Sequence, residues 1–277
     1  MDKCWLCQGD TKKYLTLNNV NLLKCKKCNL VFNPNKLDMS SLKNIYSTEY
    51  YSKGYFSSFI KIYKDTQEVL NYKKYLSLIE DYSSNKGQLL DVGCGRGVFL
   101  DIAKQNGWEV YGQEISVVPA AFTMKMFSIP VHLGQLKTLT KIGFNIVTMW
   151  DVIEHIDNGN EILKEVKRVL KRNGILFIWT INEDSLISKL SYLMYRCGIK
   201  FAAKKIYIEE HRNYYNQKNL IKLLEQNGFK VKISKLEEFP ITRYKTNIVI
   251  RTALRIIFKM QRLLNMETEQ IILCQKL

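Results

Sequence analysis

The stretch Leu89-Leu90-Asp91-Val92-Gly93-Cys94-Gly95-Arg96-Gly97 constrains this chain more than any other. Its apolar run reads as a buried parallel strand, and three glycines at alternate positions follow at the strand's carboxyl end. Glycines there let the backbone turn sharply and let a ligand approach without a Cβ in the way. The spacing is G-x-G-x-G, one residue short of the G-x-G-x-x-G of dinucleotide binders. A helix is predicted over 98–106. A second strand, Trp108 to Gly112, delivers Glu114, which lies 23 residues beyond Asp91. A carboxylate at the tip of a second strand can accept from both hydroxyls of a ribose.

Phe144 to Trp150 forms another buried-strand pattern and leads into Asp151-Val152-Ile153-Glu154-His155-Ile156. A helix is expected from about Asn158 to Lys171, stopping at Asn173-Gly174, and Ile175 to Trp179 is the next strand. Alternation of this kind argues for an α/β fold: a Rossmann-like, doubly wound, mostly parallel sheet with helices on both faces.

These residues resemble the class I S-adenosylmethionine-dependent methyltransferases, most closely the small-molecule branch. That branch carries D-V-G-C-G-x-G at the first turn and D-V-x-E-H after the fourth strand, and the likeness runs from about Lys86 to Leu277. The resemblance implies S-adenosylmethionine as cofactor. Asp91, Gly93, Gly95 and Gly97 would hold its methionine end, Glu114 its ribose, and Asp151 would be a further contact. Two positions depart from the pattern. Gln135 stands where an acid often lies beside the adenine, and Phe144-Asn145 replaces the usual Phe-Asp.

The amino terminus carries Cys4-x-x-Cys7 and Cys25-x-x-Cys28, separated by 17 residues. That spacing suits a four-cysteine zinc ribbon, in which each C-x-x-C knuckle places two thiolates about a tetrahedron. Four protein ligands leave no open position, so the zinc would be structural. A disulfide pair and a redox dithiol are the competing readings. Met1-Asp2-Lys3 leads into Cys4 without an apolar leader, and the other three cysteines are scattered, which together predict a reducing, cytoplasmic setting.

Three segments are expected: a ribbon over 1–35, a connector over 36–85, and the methyltransferase domain over 86–277. The connector holds Tyr46, Tyr50, Tyr51 and Tyr55, followed by a helix from about Ser58 to Tyr82. A ribbon followed by Y-x-x-x-Y-Y resembles a bacterial group that modifies sugars and other small metabolites. Helical insertions near 184–206 and 248–264 read as lids. No apolar run reaches 18 residues, so no spanning helix is expected.

The formal net charge of +16 is concentrated in the last third. Arg251, Arg255, Lys259 and Arg262 share one helical face, with Leu254, Ile257, Phe258 and Leu264 over much of the rest. Such a helix either packs on its own domain or makes peripheral contact with anionic membrane at its inner face.

Chemistry is assigned to His155, Glu154 and His211, the last within Glu209-Glu210-His211-Arg212. One reading makes His155 or His211 the base that takes a proton from an acceptor hydroxyl. Another has Asp151, Glu154, His155 and His211 bind Mg²⁺ or Mn²⁺, a run that resembles metal-dependent relatives acting on vicinal hydroxyls. In a third, Glu154 only orients His155. The resulting expectation is methyl transfer to a small molecule, a sugar or a cell-surface or secondary-metabolite precursor. An RNA methyltransferase and a non-catalytic cofactor-binding scaffold are the alternatives. Against nucleic acid, the basic residues are little interleaved with aromatic side chains that could stack on bases.

Overall fold

The computed structural model describes residues 3–17, 20–35, 67–83, 85–238 and 248–277. The expected sheet is present. Its strands are β4 (Gln88–Val92), β5 (Glu109–Glu114), β6 (Val131–Leu133), β7 (Phe144–Trp150), β8 (Leu170–Ile181), β10 (Phe229–Glu237) and β11 (Glu269–Lys276). Their order is β10-β11-β8-β7-β4-β5-β6. The five strands from β8 to β6 pair in parallel, and β11 runs antiparallel to both β8 and β10. Strand order reverses at β4, whose neighbours are β5 and β7, and open α/β sheets bind ligands at such a switch point.

The helices are α1 (Gln67–Glu80), α2 (Val98–Gln105), α3 (Val117–Phe127), α4 (Gly159–Val169), α5 (Leu186–Arg196), α6 (Ala203–Ile206), α7 (Gln217–Gln226) and α8 (Ile248–Leu264). Alternate strand residues point to opposite faces, so each face builds its own core. On one face Leu90, Val147, Met149 and Ile178 meet Leu163 and Val166 of α4 and Leu220 and Leu223 of α7. On the other, Leu89, Ile146 and Phe177 meet Tyr75, Leu76 and Ile79 of α1 and Phe99 and Leu100 of α2. Strands covered on both faces read as nearly unbroken apolar runs, and β4 and β7 were recognisable for that reason.

Two expectations about local structure need correction. The helix expected to run to Asn173-Gly174 ends at Val169, and β8 begins at Leu170. Phe144 pairs with Leu170 and Ile146 with Ile175, so the residues between them bulge, and Asn173 takes φ +60°. The Asn-Gly signal marks a bulge in the strand, not a helix stop. In the connector helix, Gln67–Glu80 is described, with Val69, Leu76 and Ile79 buried as expected but Leu70 exposed. Its earlier positions and the connector tyrosines lie outside the described residues.

The described residues among the first 35 do not stand apart from the sheet domain. Strands β1 (Thr11–Leu17), β2 (Val20–Cys25) and β3 (Val31–Phe32) join β9 (Asn213–Tyr214) in a second sheet of order β1-β2-β3-β9. Val31 pairs with Tyr214 and Phe32 with Asn213. Cys4, Leu6, Cys25, Leu30 and Phe32 belong to the same core as Leu163, Tyr215 and Leu223. A short ribbon has little apolar surface of its own, and sharing a larger core offsets that deficit.

A second tie between ribbon and sheet is polar. The hydroxyls of Tyr14 and Tyr207 donate to Glu183 Oε1 at 2.8 and 3.0 Å, just past the end of β8. Burial pushes the Glu183 carboxyl up to about 7. A carboxyl whose pKa is raised by folding stabilises the fold while protonated, and that contribution is lost as pH rises from the ordinary carboxylate range through about 7. Glu183→Gln should therefore gain thermal stability relative to wild type as pH rises from 5 toward 8. Melting curves of the two proteins across that range check it, and a constant difference would show that Glu183 does not titrate in the folded state.

Candidate active site

The glycine loop is fixed to the end of β5 by its backbone. The amides of Gly93 and Cys94 both donate to the Gln113 carbonyl, at 2.8 and 3.0 Å. The Gly95 amide donates to Glu114 Oε2 at 3.0 Å, while Glu114 Oε1 accepts from the amides of Ile115 and Ser116. Glu114 thus holds the loop from the end of β5. Burial raises its pKa, and these amides oppose that rise.

The three glycines do different work. All have φ between +51° and +69°, a region side chains rarely adopt. A Cβ on Gly93 would fall 2.6 Å from Val152 Cγ2, and one on Gly97 would fall 2.4 Å from Thr123 Cγ2. Both are needed for close packing behind the loop. A Cβ on Gly95 would meet nothing within 4 Å, so Gly95 faces open space. This is the geometry of a backbone left bare for a ligand. Thr123 Oγ1 donates to the Gly95 carbonyl at 3.0 Å and pins the loop from α3.

Asp91 is buried in β4 and accepts from Thr148 Oγ1 of β7 at 2.7 Å. Burial pushes its carboxyl up to about 8. Gln135 lies just after β6, where its carbonyl accepts from Thr138 Oγ1 at 2.8 Å. Asp151, with φ +52°, follows β7 and donates its amide to the Trp179 carbonyl. Trp150 packs edge-on against Tyr72 of α1, with ring centroids 4.8 Å apart. Tyr72, Thr123 and Thr148 are site-shaping residues that sequence reasoning missed. Hydroxyl and aromatic side chains inside apolar runs give no periodic signal of their own.

The second group of side chains lies at the carboxyl ends of β7 and β8. A single 3₁₀ turn, Ile153–His155, carries Glu154 and His155, and His211 comes from the segment leading into β9. The His155 and His211 rings stand edge to face with centroids 4.7 Å apart. Ligand atoms of Glu154, His155 and His211 all lie within 4.8 Å of one another, and Asp151 is not a member of this group.

His155 Nδ1 lies 3.0 Å from the Glu210 carbonyl, an acceptor, so Nδ1 carries the proton and Nε2 keeps its lone pair. Burial holds the pKa of both imidazoles below the ordinary value, and His155 pushes that of His211 lower still. Glu154 Oε2 accepts from Thr180 Oγ1 at 2.8 Å, and burial raises its carboxyl to about 7. Glu154 Oε1, His211 Nδ1 and the Tyr215 hydroxyl are buried with no hydrogen-bond partner among the described residues. Glu154 and His211 belong to one group, and two orphaned polar atoms there mark a site built for something beyond the chain itself.

The four cysteines converge as expected. Cys4 and Cys28 sulfurs lie 3.6 Å apart, Cys7 and Cys25 sulfurs 3.4 Å apart, and none is disulfide-bonded. All four lie within 4.8 Å of one another, a fit to tetrahedral sulfur coordination with metal–sulfur bonds of about 2.3 Å.

An open α/β sheet with a bare glycine loop and a buried acid at its switch point has the form of a ligand site at the carboxyl ends of the strands. Comparison with known proteins makes this specific. The methyltransferase-domain family model matches residues 65–232, more than half of the chain, and the chain belongs to that family. A ubiquinone biosynthesis O-methyltransferase from Pelagibacter ubique is 26% identical over 155 residues, 52% of this chain and 62% of the relative. One from Coxiella burnetii is 29% identical over 117 residues, 39% of this chain and 50% of the relative. The chain thus spans less than two thirds of the length of these relatives. Among solved structures, a SAM-dependent methyltransferase from Archaeoglobus fulgidus superposes with TM-score 0.55 at 24% identity, covering 80% of this chain and all of that one. Magnesium protoporphyrin IX methyltransferase from Synechocystis, solved with bound SAH, gives 0.58 at 15% identity, covering 87% of this chain and all of that one.

Gly95→Val tests the cofactor site. It should weaken S-adenosylmethionine binding by about tenfold or more, because a branched side chain strains a positive φ and fills the open space. Isothermal titration on the folded variant reads the change, and unaltered affinity would reject this loop as the cofactor's seat.

Proposed function

We propose that the chain transfers a methyl group from S-adenosylmethionine to a hydroxyl of a small-molecule acceptor, with His155 as general base. The acceptor class that best fits the sequence pattern is a sugar or a cell-surface or secondary-metabolite precursor. The observation that carries the reading is the tautomer of His155. Its Nδ1–H is committed to the Glu210 carbonyl, which makes Nε2 the lone-pair nitrogen of a ring grouped with Glu154 and His211. The O-methyltransferase names of the ubiquinone-pathway relatives support an oxygen acceptor.

When bound, the cofactor supplies a methyl group on a positively charged sulfur, a strong electrophile. Gly93, Gly95 and Gly97 would seat its methionine end and Glu114 its ribose, with Gln135 and Asp151 at the rim. The chain's own part is then positioning and proton removal. A depressed imidazole pKa keeps His155 neutral at physiological pH, so it is ready to accept the acceptor's hydroxyl proton. Glu154, backed by Thr180, lies beside it and can take a share of the imidazolium charge that forms.

Glu154, His155 and His211 also make a mixed oxygen–nitrogen donor set, which favours a second reading in which Mg²⁺ or Mn²⁺ binds there and lowers the acceptor's pKa. His155→Ala separates the roles. As base, its loss should lower turnover roughly 10²–10⁴-fold while cofactor affinity holds. Under the cation reading, a chelator should silence wild type, Mg²⁺ or Mn²⁺ should restore it, and Glu154→Ala and His211→Ala should fail alongside. Full activity of His155→Ala would remove both readings and leave positioning alone as the catalytic device.

We further infer that Cys4, Cys7, Cys25 and Cys28 hold one structural Zn²⁺. Elemental analysis of protein kept reduced throughout should find about one zinc per chain. Because β3 is hydrogen-bonded to β9, metal removal should raise amide exchange across residues 211–215 as well as in the ribbon. Zinc-free protein that is folded and unchanged in exchange would contradict the proposal.

A further inference from the structure

The basic excess of the last third has a definite place in the fold. Residues 186–206 and 248–264 together contain nine Lys and Arg and not one Asp or Glu. The structure brings these two segments side by side. The Ile187 amide of α5 donates to Gln261 Oε1 of α8 at 3.0 Å, and the Leu186 amide donates to the Met266 carbonyl. Their inner sides are buried through Ser188 and Ser191 of α5 and Leu254, Phe258 and Gln261 of α8.

The outer sides are unlike an ordinary solvated face. Leu193 is 60% exposed, Phe201 64% and Leu263 85%, with Met194, Ile199 and Met260 exposed among them. The amphipathic packing expected of α8 is therefore only half of its arrangement, since apolar residues also occupy its solvent side. Lys189, Arg196, Lys200, Arg255, Lys259 and Arg262 are exposed on the same two segments. Exposed apolar side chains and cations on two adjacent segments that carry no carboxylate match one occupant by charge and chemistry. Hydrocarbon takes the apolar groups, and anionic headgroups take the cations. RNA matches less well, because Phe201 is the one exposed aromatic among the described residues of these segments.

We propose that the outer face of α5, the turn after it and α8 form a docking surface for an anionic phospholipid bilayer. The surface adjoins the candidate site. Helix α5 is capped by Ser185, five residues after Thr180, whose hydroxyl holds Glu154. Docking would therefore bring the carboxyl edge of the sheet, where the acceptor must enter, close to the lipid.

The full chain is sedimented with vesicles of phosphatidylcholine, alone or mixed with phosphatidylglycerol. Binding should be about tenfold or more tighter on the mixed vesicles and should fall steeply with added salt. Phe201→Ser with Leu263→Ser should weaken that binding by about tenfold or more, and Lys259→Gln with Arg262→Gln should remove most of the preference for the anionic lipid. Melting curves and S-adenosylmethionine titration of each variant, unchanged from wild type, confirm that only the surface was altered. Four results overturn the proposal: equal pelleting with both vesicle types, binding undiminished in the Phe201/Leu263 variant, RNA binding that outcompetes the vesicles, or self-association through Leu263 seen by analytical ultracentrifugation. None of these bears on the methyl-transfer reading, which rests on other residues.

Discussion

The contact on which the rest of the arrangement depends is that between the glycine loop and the end of β5. Gly93, Cys94 and Gly95 each give a backbone N–H to Gln113 or Glu114, so the loop is clamped before any ligand arrives. A clamped loop loses little freedom on binding, which is what a preorganised site gains. The clamp is possible only because β4 and β5 run parallel and in register, with Asp91 opposite Gly112 and Val92 opposite Gln113. Helices on both faces stabilise that register, and the site inherits its rigidity from the sheet.

Buried carboxyls recur around this frame. Asp91, Glu154 and Glu183 are each buried and raised toward or above neutrality, and each is met by a hydroxyl from a neighbouring element: Thr148, Thr180 and the Tyr14–Tyr207 pair. A hydroxyl can donate to a carboxylate or accept from a carboxylic acid, so it tolerates either protonation state. These pairings let the fold keep acids near the carboxyl edge of the sheet, at a cost in stability that the surrounding apolar core offsets.

Much of this was legible in the sequence, for physical reasons that differ by element. Strands β4, β7 and β8 are covered on both faces and read as apolar runs, and the glycine spacing and Glu114 located the switch point. The convergence of the cysteines was readable because two C-x-x-C pairs at this spacing suit one tetrahedral site. What stayed hidden was set by long-range pairing. Strands β10 and β11 are antiparallel partners some forty residues apart, and nothing in either half announces the other. Asn173-Gly174 resembled a helix stop because a positive φ is needed at both a cap and a bulge, and only the β7 register distinguishes them. Asp151 was grouped with Glu154 and His155 because the run resembles that of metal-dependent relatives. Its own left-handed conformation, ahead of a turn that is 3₁₀, places it outside that cluster.

The least expected feature is the route by which the ribbon reaches the candidate chemistry. His211 lies outside any helix or strand, its amide donating to the Ile208 carbonyl at 3.3 Å, and its position follows from what holds residues 212 to 214. The Arg212 amide donates to the Glu154 carbonyl at 2.7 Å, and the Arg212 carbonyl accepts from Asn33 of the ribbon at 2.9 Å. Asn213 accepts from the Trp5 indole at 3.0 Å and donates to the Ile156 carbonyl at 2.6 Å. Arg212 is buried and paired with Asp157 at 2.6 Å. One short strand is therefore fastened to the ribbon on one side and to the Glu154–Asp157 turn on the other. Trp5 sits between Cys4 and Cys7, so the cysteine cluster fixes the residue that fixes Asn213. The geometry makes the ribbon a brace for the His155–His211 pair rather than an appendage to the sheet.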